Sequence, residues 1–528
     1  MNSSDSGAQY GSDVMAEVLR LLDIEYAAML PGSTFRGLHD SIVNHLGNNK
    51  PEVILCNNEG IAVDVAAGYA MVTGKPMAAI VHNVVGLLKA TDDIYGAWLG
   101  KVPMLVIGGT GPMDSEKRRG WIDWIHTALV QGNVVRDYVK WDDQPSSLAG
   151  VPDSFIRAYQ IATTDPQGPV YICLDAELQE ALLTDEVPLP SMKRYPNPSP
   201  PQADAATIER VAKLLVEAAN PVVIAGRLGR NPGAVASLIA LAELLALPVI
   251  AGSGSFPNTH PLDLTGADGE LLKEADVVLA LDIDINDLNR KIAKNAFDGT
   301  RQNTSIIPEG CQIVHFTPQH LATKSWSQSY GKLVAVDIPV TADTALALPV
   351  LTTACSELLT EKRHTELRKR FDNLKTRHEA LRKSWQTMAE NEQDKSPISI
   401  PWLARQMWEV IKSEDWTMVK GDFNGWAHRL WDFKRPYPSV GSVGLGSGLG
   451  VSLGAALAHR PEGRLCIDFQ PDGDFLYTPA ALWTAAHYQI PMLVIMNNNR
   501  SYYNSERHQG VVAKTRGRPV ENRGIGTR

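Results

Sequence analysis

Two stretches in the last quarter of the chain decide the predicted fold. They are Arg464-Leu-Cys-Ile-Asp-Phe469, followed by Gln470-Pro-Asp-Gly-Asp474, and Met492-Leu-Val-Ile-Met496, followed by Asn497-Asn-Asn-Arg-Ser-Tyr502. Each begins with a short apolar run of the kind found in strands buried on both faces of a parallel sheet. Ligands bind outside the carboxyl ends of such strands, so the two polar clusters are expected at neighbouring strand ends.

Similar apolar runs alternate with helix-length segments through most of the chain. This alternation predicts βαβ units and an α/β layer architecture. The helical patterns include Gly60–Val72 and Leu87–Leu99. The predicted strands are Val53–Cys56, Met77–His82, Met104–Gly108, Val170–Leu174, Val222–Ala225, Pro248–Ala251, Val277–Leu281, Ile313–Phe316, Leu333–Val336, Thr417–Val419, Leu465–Phe469 and Met492–Met496.

The chain has 528 residues, too many for one hydrophobic core, so about three domains are expected. A proline-rich stretch around 187–201 reads as a linker, and the charged segment Glu357–Asp394 predicts a surface helix. The predicted divisions are 1–186 for the N-terminal domain, 187–205 for the linker, 206–345 for the middle domain, 346–396 for a helical linker and 397–528 for the C-terminal domain.

Composition excludes several classes of protein. The formal net charge is −9 with no long basic run, which argues against a nucleic-acid binder. The longest apolar stretch, Leu238–Ala251, is interrupted by Glu243 and is too short to cross a bilayer. The N-terminus has no secretory signal pattern. Five scattered cysteines without a Cys-x-x-Cys motif fit a reducing, cytoplasmic setting.

The two polar clusters contain hard oxygen ligands suited to Mg²⁺, namely Asp472 and an asparagine amide from residues 497–499. An alternative is that Pro471-Asp-Gly is only a turn and the asparagines only a loop. The wider stretch, however, resembles the thiamine-diphosphate signature, in which an Asp-Gly follows one strand and paired asparagines close the next. The intervening segment Thr478–Pro491 is similar to its counterpart in benzoylformate decarboxylase and acetolactate synthase relatives.

The resemblance implies three doubly wound parallel-sheet domains: pyrimidine-binding, middle Rossmann-like and diphosphate-binding. It also implies a metal site and a diphosphate site. The Mg²⁺ ligands would be Asp472, the side chain of Asn499 (Asn498 being the alternative) and the backbone carbonyl of Ser501; Gly473, Asp474 and Tyr502 would lie against the diphosphate. Two departures stand out, because Pro471 replaces the usual glycine and lacks an N–H, and Asp474 adds a carboxylate near an anion.

Upstream lies the glycine-rich segment Gly441-Ser-Val-Gly-Leu-Gly-Ser-Gly-Leu-Gly450. A flexible loop is one interpretation. A dinucleotide fingerprint is another, but the strict Gly-x-Gly-x-x-Gly spacing is not met. The resemblance implies that Leu445 wedges the cofactor into a bent shape and that Gly446 lets the backbone approach it. Asp422 and Asn424 are weaker candidates for cofactor contacts.

The N-terminal domain supplies Glu59, in the segment Cys56–Ala70. A carboxylate at a helix start is also explained by the helix macrodipole alone. The resemblance assigns Glu59 to the aminopyrimidine nitrogen of the cofactor. A buried carboxyl, whose pKa is raised by desolvation, shares a proton with such a weakly basic nitrogen.

His82 ends a predicted strand and matches an active-site histidine of benzoylformate decarboxylase; a purely structural role is the alternative. Ser33 matches a serine that binds the substrate carboxylate, or else caps a helix. No convincing counterpart of the decarboxylase's second histidine is found.

The implied enzyme is a lyase or transferase that decarboxylates a 2-oxo acid. Its product is an aldehyde, or a 2-hydroxy ketone or acid formed by ligation to an acceptor aldehyde or ketone. The implied cofactors are thiamine diphosphate and Mg²⁺, and the sequence gives no support for a flavin adenine dinucleotide. Because Glu59 of one subunit meets the diphosphate domain of another in this family, a homodimer or homotetramer is expected. No nucleic acid or membrane partner is expected.

The alternative is a catalytically silent homologue with a regulatory or structural role. Pro471 motivates it, as do the only 29 residues that follow Asn499, which predict a short diphosphate domain with a more open site.

Overall fold

The computed structural model describes residues 7–252, 254–295, 303–318, 333–433, 444, 446–521 and 524–526. The chain divides into two compact units. The first comprises Met1–Pro198, Asp415–Gly421 and Val440–Asn498; the second comprises Ser199–Glu414, Asp422–Ser439 and Asn499–Arg528. The limits of the three predicted domains stay a prediction.

The N-terminal part of the first unit is built on a six-stranded parallel sheet of order β2-β1-β3-β4-β6-β5. Its strands are β1 Tyr26–Met29, β2 Glu52–Leu55, β3 Met77–Val81, β4 Met104–Thr110, β5 Asp142–Asp143 and β6 Pro169–Asp175. Its helices are α1 Gly11–Leu21, α2 Arg36–Asp40, α3 Glu59–Thr73, α4 Asn83–Gly100, α5 Asp123–His126, α6 Val151–Thr163 and α7 Ala176–Glu180.

The second unit contains a five-stranded parallel sheet of order β13-β12-β9-β7-β8 and a small antiparallel pair, β10 with β11. The strands are β7 Pro221–Ala225, β8 Val249–Ala251, β9 Val277–Leu281, β10 Ala293–Asn295, β11 Asn303–Ser305, β12 Gln312–Thr317 and β13 Ile338–Thr341. The helices are α8 Ala205–Glu217, α9 Pro232–Leu245, α10 Asp268–Glu274, α11 Ile285–Ile292, α12 Thr344–Leu358, α13 Glu361–Glu390 and α14 Ile400–Ile411.

A three-stranded parallel sheet, β14-β15-β16, completes the first unit. Its strands are β14 Trp416–Lys420, β15 Leu465–Pro471 and β16 Leu493–Asn497. The remaining helices are α15 Trp426–Leu430 and α19 Tyr503–Thr515, in the second unit, and α16 Gly448–His459, α17 Asp472–Phe475 and α18 Ala481–His487, in the first.

The predicted α/β class is confirmed, with three parallel sheets. One predicted strand is wrong, because Leu333–Val336 forms no strand and β13 begins five residues later than predicted, at Ile338. Pro339 hides this strand from a sequence search, yet a proline is tolerated there because β13 lies at the edge of its sheet. Strand β1 was not predicted, since Ala27 and Ala28 make a weak strand signal.

Helices α3 and α16 cross at very close range within the first unit, and glycines make this possible. A Cβ on Gly454 would lie 2.0 Å from the carbonyl oxygen of Val65, and one on Gly68 would lie 2.0 Å from that of Val451. A Cβ on Gly450 would meet the Cβ of Asp64 at 2.4 Å. The glycine-rich segment is helical from Gly448 onward, and its helix α16 packs backbone against backbone on α3 of the N-terminal sheet.

All five cysteines are buried and free of disulfides. In the part of the chain that the structure describes, no helix combines the length and the apolar character needed to cross a bilayer.

Candidate active site

Glu59 is the first residue of α3, and its carboxyl group is almost completely buried. The side chain of Asn58 caps the helix by accepting a hydrogen bond from the Gly60 N–H at 2.7 Å. Glu59 is therefore not needed as the cap. Its Oε2 lies 3.9 Å from the Nζ of Lys89 and has no hydrogen-bond partner within the part of the chain that the structure describes. A buried carboxylate oxygen without a partner is costly, so this atom is a strong candidate for a ligand contact.

His82 follows β3 directly and precedes the first residue of α4. Its Nδ1 lies 3.3 Å from the Thr34 hydroxyl, and its Nε2 lies 3.3 Å from the Asn83 amide nitrogen. One neutral tautomer satisfies both contacts, with Nδ1 donating and Nε2 accepting. Burial, reinforced by the nearby His126, Arg119 and Lys89, lowers the pKa of His82 to about 4. The ring is therefore neutral at physiological pH.

Gly86, in the first turn of α4, lies between Glu59 and His82. A Cβ built there would be 2.7 Å from Oε1 of Glu59 and 3.1 Å from the Cβ of His82. Its N–H donates to the carbonyl of His82 at 2.6 Å. Glu59, which begins α3, and His82, which precedes α4, are thus separated by a single glycine.

Ser33 lies in the loop after β1, and its hydroxyl is buried with no hydrogen-bond partner among the residues that the structure describes. It does not cap a helix, since the N-cap of α2 is Phe35, which has no side-chain capping bond. The preceding residue, Gly32, packs directly against the His82 ring, since a Cβ built on Gly32 would lie 2.4 Å from Nδ1 of His82. The structure thus places the Ser33 loop beside the predicted histidine.

Two residues near His82 were missed by the sequence analysis. The rings of His126 and His82 lie edge to face, with centroids 5.2 Å apart. Arg119 forms an ion pair with Asp123 at 2.8 Å and also donates to the Ser33 carbonyl at 3.4 Å. These residues lie in an irregular segment without a recognisable motif, so only the spatial neighbourhood of His82 identifies them.

The glycine-rich segment forms a tight cradle at Gly446. Its φ is +77°, and a Cβ would meet the Tyr477 side chain at 2.2 Å, so only glycine fits. The Gly446 N–H donates to Asp474 at 2.9 Å, and its carbonyl accepts from Thr478 at 2.7 Å. Asp474 also pairs with Lys420 at 3.3 Å, which offsets the extra negative charge noted in the sequence. Leu445 lies outside the described residues.

The predicted metal ligands fall at the ends of β15 and β16. Pro471 and Asn497 are register partners in the two strands, so Asp472 and Asn498 both follow directly at the same edge of the sheet. Asp472 is buried and begins α17, and Gly473 is buried beside it. Carboxylate and amide oxygens at such an edge suit Mg²⁺, which also takes oxygens from phosphate groups. The donor set therefore fits the predicted metal.

Asn499, Ser501 and Tyr502 belong to the second unit. Oδ1 of Asn499 accepts the Ser501 N–H at 2.9 Å, which forms an Asx-type turn. Ser501 is buried and its hydroxyl donates to Glu506, whereas the Tyr502 side chain is exposed. Whether Asn498 or Asn499 is the ligand stays open.

Asp422 and Asn424 lie in a turn of three consecutive left-handed residues, Phe423, Asn424 and Gly425. The Asp422 carboxylate accepts the Gly425 N–H at 2.8 Å and so stabilises this turn. Asp422 therefore has a structural role in this turn. A cofactor contact of Asp422 or Asn424 stays a prediction.

Three family models match the chain, each described as a domain of thiamine pyrophosphate enzymes. The N-terminal binding domain matches residues 9–131, the central domain 208–351 and the C-terminal binding domain 420–523. The chain belongs to the thiamine pyrophosphate enzyme family. The family predicted from the sequence is therefore confirmed, and the fold class agrees with it.

Relatives of this thiamine pyrophosphate enzyme include acetolactate synthases. The probable large subunit from Methanocaldococcus jannaschii is 25% identical, over 90% of this chain and 76% of the relative. The large subunit from Lactococcus lactis is 26% identical, over 95% of this chain and 84% of the relative.

Solved structures share the fold. Benzoylformate decarboxylase from Polynucleobacter necessarius aligns with a TM-score of 0.74 at 20% identity, over 98% of this chain and 90% of that one. A putative thiamin diphosphate-dependent enzyme from Mycobacterium smegmatis aligns with a TM-score of 0.71 at 20% identity, over 94% and 89%.

Proposed function

We propose that this chain uses thiamine diphosphate and Mg²⁺ to cleave or form a carbon–carbon bond next to the carbonyl of a 2-oxo acid. The observation that carries this proposal is the buried carboxyl group of Glu59. Among the described residues its Oε2 has no hydrogen-bond partner, and the group adjoins His82 across Gly86. The acetolactate synthase relatives support an enzyme of this class and do not favour the silent homologue.

When bound, thiamine diphosphate supplies an electron sink for the electron pair that the departing CO₂ leaves behind. In this proposal Glu59 holds the proton shared with the aminopyrimidine ring. Burial keeps water away from that proton, and the nearest cation in the described structure, the Nζ of Lys89, is 3.9 Å away. A contact at that distance is too long for a hydrogen bond, so the carboxyl group remains available to a ligand.

The remaining residues divide into those that anchor the cofactor and those that face the substrate. Asp472, Asn499 or Asn498, and the Ser501 carbonyl hold the metal in this proposal. Gly446, Gly473 and Tyr502 lie against the diphosphate in this proposal. The ion pair with Lys420 offsets the negative charge of Asp474, which would otherwise repel the diphosphate. Ser33 offers a hydroxyl to the substrate carboxylate.

We further propose that the working form is a homo-oligomer in a reducing, cytoplasmic setting, which the five free buried cysteines support. The oligomer follows from the family's use of two subunits at each site and is tested by sedimentation at concentrations used in the assay.

The decisive experiment for the proposed function is product analysis. The purified protein is incubated with thiamine diphosphate, Mg²⁺ and either pyruvate or benzoylformate, alone and with an added aldehyde. Release of CO₂ with an aldehyde or a 2-hydroxy ketone is expected, and the product distinguishes a lyase from a transferase. Cofactor binding without CO₂ release from any of a panel of 2-oxo acids would favour the silent homologue.

A further inference from the structure

Three residues around His82 carry buried polar atoms that have no hydrogen-bond partner among the described residues: the Ser33 hydroxyl, Oε2 of Glu59 and Nδ1 of His126. Gly32, which precedes Ser33, packs against the His82 ring, and Gly86 lies between His82 and the carboxyl group of Glu59. The His126 ring contacts the His82 ring directly. A native protein rarely buries several such atoms together unless something else satisfies them. The group has the chemistry to receive a small polar substrate.

His126 is held toward this group by a built support. It ends the short helix α5, whose first residue, Asp123, pairs with Arg119 at 2.8 Å. The next residue, Thr127, accepts a hydrogen bond from the Gly111 N–H at 3.1 Å, which anchors the segment to the end of β4. Arg119 also reaches the Ser33 carbonyl at 3.4 Å, joining the two loops. The segment that carries His126 is thus anchored on both sides of the ring.

The two histidines are unequal. His82 is flanked by the cations Arg119 and Lys89 and by His126, and burial lowers its pKa to about 4. It therefore stays neutral and acts through hydrogen bonds to Thr34 and Asn83. His82 cannot serve as the acid at neutral pH, so proton donation needs a second group.

We infer that His126 is this second group, a proton-transfer residue that faces the carbonyl oxygen of the substrate, with Arg119 and Asp123 as its positioning residues. The inference rests on the proposed function and deepens it. As a bond forms at the carbonyl carbon, the oxygen gains negative charge. In the inferred step a protonated His126 gives its proton to that oxygen: the N–H bond breaks as the O–H bond forms, and the ring then takes up a proton from the solvent.

The first test uses the protein without cofactor. Diethylpyrocarbonate modifies neutral imidazole, and peptide mapping by mass spectrometry gives the modification rate of His82 as a function of pH. In the variant His126→Gln we expect the apparent pKa of His82 to rise, because the neighbouring His126 ring, 5.2 Å away between centroids, is one of the groups that lower it. His45→Gln, which removes a histidine paired with Glu17 elsewhere in the domain, should leave that pKa unchanged. An unchanged pKa in His126→Gln would overturn the inference.

The second test uses the holoenzyme and the 2-oxo acid that it turns over. His126→Ala should lower kcat about 100-fold or more, with KM changed little, and should remove the alkaline limb of the pH profile, because activity that depends on a proton donor is lost as the pH rises. Added imidazole should restore part of the activity. A loss of cofactor affinity or stability, with the shape of the pH profile intact, would show a purely structural role and overturn the inference.

The two proposals fail separately. If the wild type releases no CO₂ from any 2-oxo acid, the proposed function fails, while the titration of His82 still measures the contact with His126. If the wild type is active and His126→Gln and His126→Ala both keep the wild-type kcat and pH profile, only the role of His126 fails.

Discussion

Gly86 gives the sharpest test of the site geometry, because an added methyl group there touches both predicted catalytic residues. A Cβ would lie 2.7 Å from Oε1 of Glu59 and 3.1 Å from the Cβ of His82. To reach an ordinary van der Waals separation from the new methyl group, the Glu59 carboxyl would have to move away by about 0.7 Å. Displacements near 1 Å cost about 100-fold in rate, so Gly86→Ala should lower kcat between about 10-fold and 100-fold.

The effect on stability should be small, since two terms oppose each other. Alanine favours the helix over glycine by about 1 kcal/mol, while overpacking costs about 1–3 kcal/mol. Gly269→Ala is the matched control, because this glycine is also helical and its Cβ would meet nothing within 4 Å. Turnover and unfolding midpoints in urea are measured for both variants. Full activity in Gly86→Ala, with wild-type affinity for the cofactor, would refute the proximity of Glu59 and His82.

Three further changes test other parts of the account. Lys420→Met leaves the charge of Asp474 without its partner and should weaken thiamine diphosphate binding about tenfold by titration, with Asp474→Asn restoring affinity in the same background. Gly454→Ala pushes against the Val65 carbonyl and should lower the urea midpoint by the equivalent of about 1–3 kcal/mol; an unchanged midpoint would contradict the close packing of α3 and α16. Asp93→Asn should flatten the pH dependence of unfolding. Burial raises the pKa of Asp93 from 3.8 to about 7, so between these values the folded carboxyl keeps a proton that the unfolded one releases, and stability falls as pH rises. The exposed Asp185→Asn should not change the profile, and a profile in Asp93→Asn identical to that of the wild type would refute the assignment.

The titration of Asp93 has a structural cause. A Cβ on Gly60 would lie 2.3 Å from Oδ2 of Asp93, so this carboxyl sits against the first turn of α3. Asp64 lies in α3, is completely buried and hydrogen-bonds to Asp93. Burial, together with the neighbouring acid, holds the pKa of Asp64 well above its usual range. The folded protein therefore keeps a proton on this pair that the unfolded chain releases. The contribution of the pair to the free energy of unfolding decreases as the pH rises.

The fold was largely predictable because its signal is local. A run such as Val277–Leu281 is apolar at every position, as is typical of a strand buried on both faces of a parallel sheet. Where the local signal was weak or misleading the prediction failed, as at alanine-rich β1 and proline-containing β13. Tertiary contacts decide such strands, and a single sequence does not display them.

The site was predictable only where a family motif marked it. Glu59 and His82 were found through such motifs, but their contact through Gly86 depends on how two βα units pack. Arg119 and His126 carry no motif, and they become visible only when the segment folds back over the Ser33 loop. Likewise, the partner of Asp474 is Lys420, more than fifty residues earlier in the chain, and no spacing rule connects them.

The carboxyl group of Glu59 is the most direct point at which to test the central claim. Glu59→Gln keeps the size and buried position of the side chain but removes the acid, and turnover of the preferred 2-oxo acid is measured together with Mg²⁺-dependent binding of thiamine diphosphate. The account predicts that turnover falls by at least about 100-fold while the cofactor still binds. Wild-type turnover in Glu59→Gln would contradict it.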